Sequence, residues 1–174
     1  YKKVEFGMNA SFSWTKNVHL PEGKFYGSAI YASKVNLTPS TPIYNEDGTY
    51  ASGYRENNGY NPILEAEVND YYARTVRAMG TAKIAYNVWD NLKVSSVFTV
   101  DYSLTKDFFF QSPDGRDGAT YQGRGRMQMT DRIRYTSQNN LTYSKTFGKH
   151  SVSAVTAFEV MKYDYEDLYA AKKT

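Results

Sequence analysis

The sequence predicts an all-β fold, a sector of a large antiparallel transmembrane β-barrel with about five long strands, short periplasmic turns and long extracellular loops. Three observations lead there. Polar and apolar residues alternate with period two over runs far longer than the usual strand of about 5–6 residues; Val76, Ala78, Gly80, Ala82, Ile84, Tyr86 and Val88 hold one phase without a break. Short and long connections between such runs alternate along the chain, so the long loops emerge on one side. One run carries Arg124, Arg126, Arg132 and Arg134 on a single parity, opposite Met127, Met129, Ile133 and Tyr135.

Taken in order, the first strand sets Val4, Phe6, Met8, Ala10, Phe12 and Trp14 against Glu5, Asn9, Ser11 and Ser13. The second runs from about Thr75 to Val88. A turn through Trp89-Asp90-Asn91 leads to the third, where Leu92, Val94, Phe98, Val100, Tyr102 and Leu104 oppose Lys93, Ser95, Thr99, Asp101 and Ser103. The fourth spans Arg124 to Ser144, with Ser137 and Asn139 as polar misfits on its apolar parity. Phe147-Gly148-Lys149-His150 turns the chain into the fifth, marked by Val152, Ala154, Phe158 and Val160. The long connections cover roughly Lys16 to Ala73 and Lys106 to Gly123. In the first of them, Asp47-Gly48 predicts a small hairpin between Ile43 and Tyr50. Asn61 as cap and Pro62 at the first helical position predict one short helix.

A soluble β-sandwich also buries one sheet face and is the plain alternative. Four arginines on one parity would be a costly sandwich core, but they suit the watery inner wall of a barrel with the other parity in lipid. Trp14, Tyr86, Trp89, Tyr102, Tyr143 and Phe147 sit near the run ends, where interfacial girdles form. The mean hydropathy of −0.64 does not weigh against a membrane, because a barrel alternates its faces. Five strands do not close such a barrel, so residues 1–174 are expected to form part of one, within a longer polypeptide.

The remaining composition excludes more than it assigns. A net charge of +3 selects no partner, and the absence of Cys removes thiol catalysis, disulfides and Cys-based zinc sites. His19 and His150 fall in separate connections and do not predict a shared metal or base. The DGRDG stretch from Asp114 lacks the ligand spacing of a calcium loop and is read as a polar loop tip. No cofactor is expected, no enzymatic activity, and no nucleic-acid partner, since the arginines follow strand parity. Phe108, Phe109 and Phe110, and Tyr44, Tyr50, Tyr54 and Tyr60, are placed in the loops. They pack there, with the phenylalanines also candidates for an interfacial girdle, or contact a substrate or a lid protein. Arg124, Arg126, Arg132 and Arg134 are the candidates for the inner wall, where they guide a substrate or pair with acidic groups of a plug.

The hairpin NNLTYSKTFGKHSVSAVTAFEV resembles the SusC/RagA-like TonB-dependent outer-membrane transporters, through Asn139, Leu141, Thr142, Tyr143, Lys145, Phe147, Gly148, Lys149 and His150. TPIYNEDGTY, Asn61-Pro62 and GTAKIAYNVWDNL are similar in style. The resemblance implies a 22-stranded barrel closed by an N-terminal plug, in the outer membrane of a Gram-negative bacterium. It implies a SusD-like surface lipoprotein as lid, TonB as energy coupler, and oligosaccharides or peptides as cargo. No TonB box or plug is recognisable in this stretch. A TonB-dependent siderophore or vitamin receptor and a soluble glycan-binding adhesin module are the alternatives.

Overall fold

The computed structural model describes residues 3–18, 36–52, 55 and 59–173. Five strands form one antiparallel sheet in chain order: β1 (Val4–Val18), β2 (Asp70–Trp89), β3 (Leu92–Gln111), β4 (Arg124–Phe147) and β5 (His150–Lys173). Two short helices lie in the long connections, α1 (Pro62–Val68) and α2 (Arg116–Ala119). The all-β class and the strand–turn–strand order agree with the sequence reading.

The chain divides into two compact units. One holds Tyr1–Trp14, Thr75–Leu104 and Thr130–Glu166, the strand segments that run into the two short turns. The other holds Thr15–Arg74, Thr105–Met129 and Asp167–Thr174, which include both long connections.

Side-chain pairs fix the register within each hairpin. Thr81 and Thr99 share a hydrogen bond of 3.1 Å, and the Tyr72 and Phe108 rings stack at 5.0 Å. Both pairs are symmetric about Asp90, so apolar parity in β2 meets apolar parity in β3. In β4 and β5, Thr146 meets Ser151 and the Gln138 amide donates to Glu159, symmetric about the Gly148-Lys149 turn. Because side chains alternate along a strand, one such register keeps the polar set together and the apolar set together.

The turn itself demands a special backbone. Gly148 has φ +58, in the left-handed region, and an added Cβ would meet nothing within 4 Å. A Gly148→Ala change therefore strains the backbone alone and is expected to cost about 1–2 kcal/mol. Equilibrium unfolding of the full-length protein in lipid vesicles measures it.

The apolar parity is open. Phe6, Met8 and Phe12 of β1 are each about 70% exposed, and Ile84, Phe98 and Phe158 are also exposed. Among the described residues, the buried apolar side chains are Ala51, Tyr60, Tyr71 and Ala85. A sandwich would cover one sheet face, and nothing here covers it. An exposed apolar face of this extent marks contact with lipid or with another protein. β1 and β5 form the two edges, exposed throughout their described lengths.

Several boundaries differ from the sequence reading: β1 continues to Val18 and β4 to Phe147, and three shifts are larger. β2 begins at Asp70, five residues before Thr75, β3 continues to Gln111, and β5 continues to Lys173. The Phe108-Phe109-Phe110 run thus belongs to β3 and not to a loop, which corrects their placement. Three consecutive aromatics carry no alternation, but aromatic side chains suit strands, and the β2 partners Tyr71 and Tyr72 extend the ladder beside them. Ser137 and Asn139 satisfy each other: the Asn139 amide donates to Ser137 Oγ at 3.3 Å.

Candidate functional site: the arginines and the loop network

The second unit is organised by buried polar groups. Asn61 is 2% exposed, and its Oδ1 accepts from the Ile63 and Leu64 amides, capping α1. Its Nδ2 donates to the carbonyls of Ile43 and Ala51, both at 2.9 Å, and so ties the base of the small hairpin to the helix. That hairpin is the expected one. Tyr44 and Tyr50 pair across it, and Gly48 turns it with φ +83. The Thr49 hydroxyl and amide hold the Asp47 carboxyl below its usual range.

Glu65 on α1 joins the two long connections. It is 2% exposed; one carboxylate oxygen accepts from the Arg116 amide at 2.6 Å, the other from Asn69 Nδ2 at 2.7 Å. Asn69 in turn accepts from the Ser112 amide at 2.9 Å. Gly118 is required by close approach, since a Cβ there would lie 1.9 Å from the Ser112 carbonyl oxygen.

A second chain of bonds starts at Tyr60, whose hydroxyl donates to Asp117. Burial and that bond raise the Tyr60 pKa well above its usual value. The other Asp117 oxygen accepts from Gln111 at 3.1 Å, and Arg124 Nε donates to Gln111 Oε1. Asp117 is therefore a bonded member of the network, and the DGRDG stretch is not a free loop tip. Beside it lies a cleft of about 560 Å³ lined by Tyr60, Glu65, Asp114, Arg116 and Asp117 among others.

The arginines meet aromatic rings. In the second unit, the Arg124 guanidinium lies 5.2 Å from the Tyr121 ring and 6.0 Å from Phe109, and Arg126 lies 4.3 Å from Phe109. Phe109 also meets Tyr71 edge to face at 4.4 Å. In the first unit, Arg132 faces Tyr165 at 5.7 Å and Arg134 faces Tyr163 at 5.6 Å. The polar parity there also carries a two-bond pair, Arg77 to Asp101 at 2.8 and 2.7 Å, and the Lys93–Glu5 pair at 2.9 Å. Within each unit, arginines thus lie against aromatic rings, an arrangement able to hold planar polar or anionic groups.

No protein-family model matches the chain. Two curated proteins of Formosa agariphila are similar to it. TonB-dependent receptor P3 is 28% identical over 150 residues, 85% of this chain and 15% of that protein. TonB-dependent receptor P26 is 25% identical over 171 residues, 94% of this chain and 16% of that protein. The chain is thus similar in sequence to a segment of two TonB-dependent receptors. It spans about a sixth of the length of these relatives.

The predicted residues of the chain fall into distinct groups. Arg124 and Arg126 come together with Phe109. Phe108 stacks on Tyr72 on the opposite parity, and Phe110 shares that parity with Phe108. Tyr44 and Tyr50 pack on each other at 5.0 Å, and the Tyr50 hydroxyl donates to Glu67, which raises its pKa strongly. Both aromatics thus have partners within their own loop. Tyr54 and His19 lie outside the described residues. Sequence reasoning missed Glu65, Asn69, Gln111 and Asp117. The Asn61-Pro62 capping signal was their nearest trace, because a carboxylate bonding an amide 51 residues away leaves no periodic mark.

Proposed function

We propose that the chain is a barrel sector of an outer-membrane nutrient importer of the SusC type. Strand parity carries this reading. On β1, β2 and β3 one parity holds no charged residue from Val4 to Trp14, from Val76 to Val88 and from Leu92 to Leu104. The other parity carries the ion pairs. Lipid on one side and water on the other would select that division. The names of the two relatives support TonB coupling, through parts of the protein beyond this stretch. Oligosaccharides or peptides as cargo and a SusD-like lid lipoprotein extend the reading by family resemblance. The work is transport, with no bond made or broken in the cargo.

Expression of the full-length protein in a Gram-negative host tests it. The protein is expected in the outer membrane, with a heat-modifiable mobility and cargo uptake that stops when TonB is deleted. A protein that stays soluble without detergent supports the adhesin alternative instead.

The arginines allow a finer test. Changing Arg124 and Arg126 together to Gln removes the ring contacts with Phe109 and the bond to Gln111. A loss of about 1–3 kcal/mol is expected, read as a lower melting temperature of the purified protein. Slower uptake at an unchanged melting temperature would assign the pair to substrate guidance instead.

A further inference from the structure

The apolar parity changes character at the same level on three adjacent strands. In β1 it runs through Phe12 and Trp14 to Lys16. In β2, on the loop side of Val76, the next residue of that parity is Arg74. In β3, beyond Leu104, it is Lys106. Two of these three cations lie against one ring. Lys16 Nζ lies 5.0 Å from the Tyr72 ring centroid and Arg74 Cζ 4.7 Å. Stacking of Phe108 on Tyr72 fixes the antiparallel register there and sets Lys106 opposite Arg74. All three cations are exposed. Among the described residues, none has a carboxylate within ion-pair distance. Asp70, the next carboxylate of that parity in β2, lies four residues further on, roughly 13 Å along the strand.

Their height matches a bilayer boundary. The uncharged stretch of β2 from Val76 to Val88 spans roughly 40 Å of strand. At the strand tilt of about 40° usual in such barrels, it covers about 30 Å of membrane normal, against an apolar band of about 25 Å. The cations therefore sit where hydrocarbon gives way to headgroups, on the loop side. The other two strands differ. The first charge on this parity of β4 is Asp131, which accepts from the Tyr102 hydroxyl at 3.2 Å, and Lys162 of β5 pairs with Asp164 at 2.9 Å.

We propose that Lys16 and Arg74, both against Tyr72, together with Lys106 opposite Arg74, bind the phosphate groups of an anionic outer-leaflet lipid. This rests on the barrel reading above. The ring and its stacked partner Phe108 offer an apolar seat for the lipid's upper acyl region. The three cations offer charge where a neutral face would leave headgroup phosphates unpaired.

The test titrates fluorescent lipid A into the full-length protein in dodecyl maltoside micelles. Each basic residue near an anionic surface contributes about fivefold, so the Lys16→Gln, Arg74→Gln, Lys106→Gln triple variant should bind on the order of a hundredfold more weakly. Arg74→Lys alone should stay close to wild type. Dephosphorylated lipid A should bind wild type on the order of a hundredfold more weakly than intact lipid A does. That arm decides the matter even where the triple variant does not fold. Equal binding of dephosphorylated lipid, or undiminished binding by a folded triple variant, overturns the proposal. So does displacement by inorganic phosphate at matched concentration, which would make the row a free-phosphate site. Failure of the barrel reading is separately visible, as a wild-type protein without heat-modifiable mobility.

Discussion

Glu65→Ala is expected to loosen both long connections at once. The carboxylate is buried and accepts from the Arg116 amide and from Asn69. Hydrogen bonds to a charged group contribute about 1.5–3 kcal/mol each, so the loss should be about 3–5 kcal/mol. It should be local, because the strand ladders do not use Glu65. Amide hydrogen exchange of the full-length protein reads it directly. Protection at Arg116 and at Ser112, which bonds to Asn69, should fall together with protection across α1. Glu65→Gln keeps one acceptor oxygen but turns an amide donor toward donors, so it should fall between the two. Unchanged protection at Arg116 in the alanine variant would show that Glu65 does not join the connections.

Val100→Arg should destabilise the folded barrel by about 2–4 kcal/mol at the bilayer midplane. Val100 lines a shallow apolar hollow with Ala10, Phe12, Ala78, Gly80 and Tyr102. Gly80 leaves that hollow open, and its lining holds no carboxylate to pair with a guanidinium. The neighbouring Thr99→Arg places the same charge on the polar parity, among Arg77, Asp101 and Thr81. It gives up the 3.1 Å contact with Thr81, about 1 kcal/mol, and keeps its charge hydrated. Folding titrations into lipid vesicles measure both variants, and a reversed order would overturn the assignment of faces.

The strands that carry alternation were legible, and so were the capped helix and the Asp47-Gly48 hairpin. Legibility stopped where the phase inverts. Beyond Val160 the sequence reads MKYDYEDLYAAKK, where Lys162, Asp164 and Glu166 take the parity of Phe158 and Val160 and the aromatics Tyr163 and Tyr165 take the other, so the apolar face no longer continues. Its consequence reached the site. With β5 read as ending near Val160, Tyr163 and Tyr165 were not recognised as partners of Arg134 and Arg132. The parity of the arginines was plain from the sequence, but their ring contacts needed the register that the Gly148-Lys149 turn sets. The loop network was opaque for a different reason. Glu65, Gln111 and Asp117 are ordinary polar residues in sequence, and only their burial gives them meaning.

The chain-ordered sheet also has a kinetic consequence. Hairpins β2–β3 and β4–β5 need only zip from two-residue turns, an event of about 1–10 μs. Joining β3 to β4 closes the 12 residues between Gln111 and Arg124, whereas joining β1 to β2 closes the 51 between Val18 and Asp70. A loop about four times longer costs about 1 kcal/mol more in closure entropy. The bonds of Asn61 to Ile43 and Ala51 shorten the effective loop once they form. Of these five strands β1 is synthesised first and has the longest loop to close, and pairing with β2 still leaves Phe6, Met8 and Phe12 bare until lipid covers them. It is the strand on which a holding chaperone has most to shield.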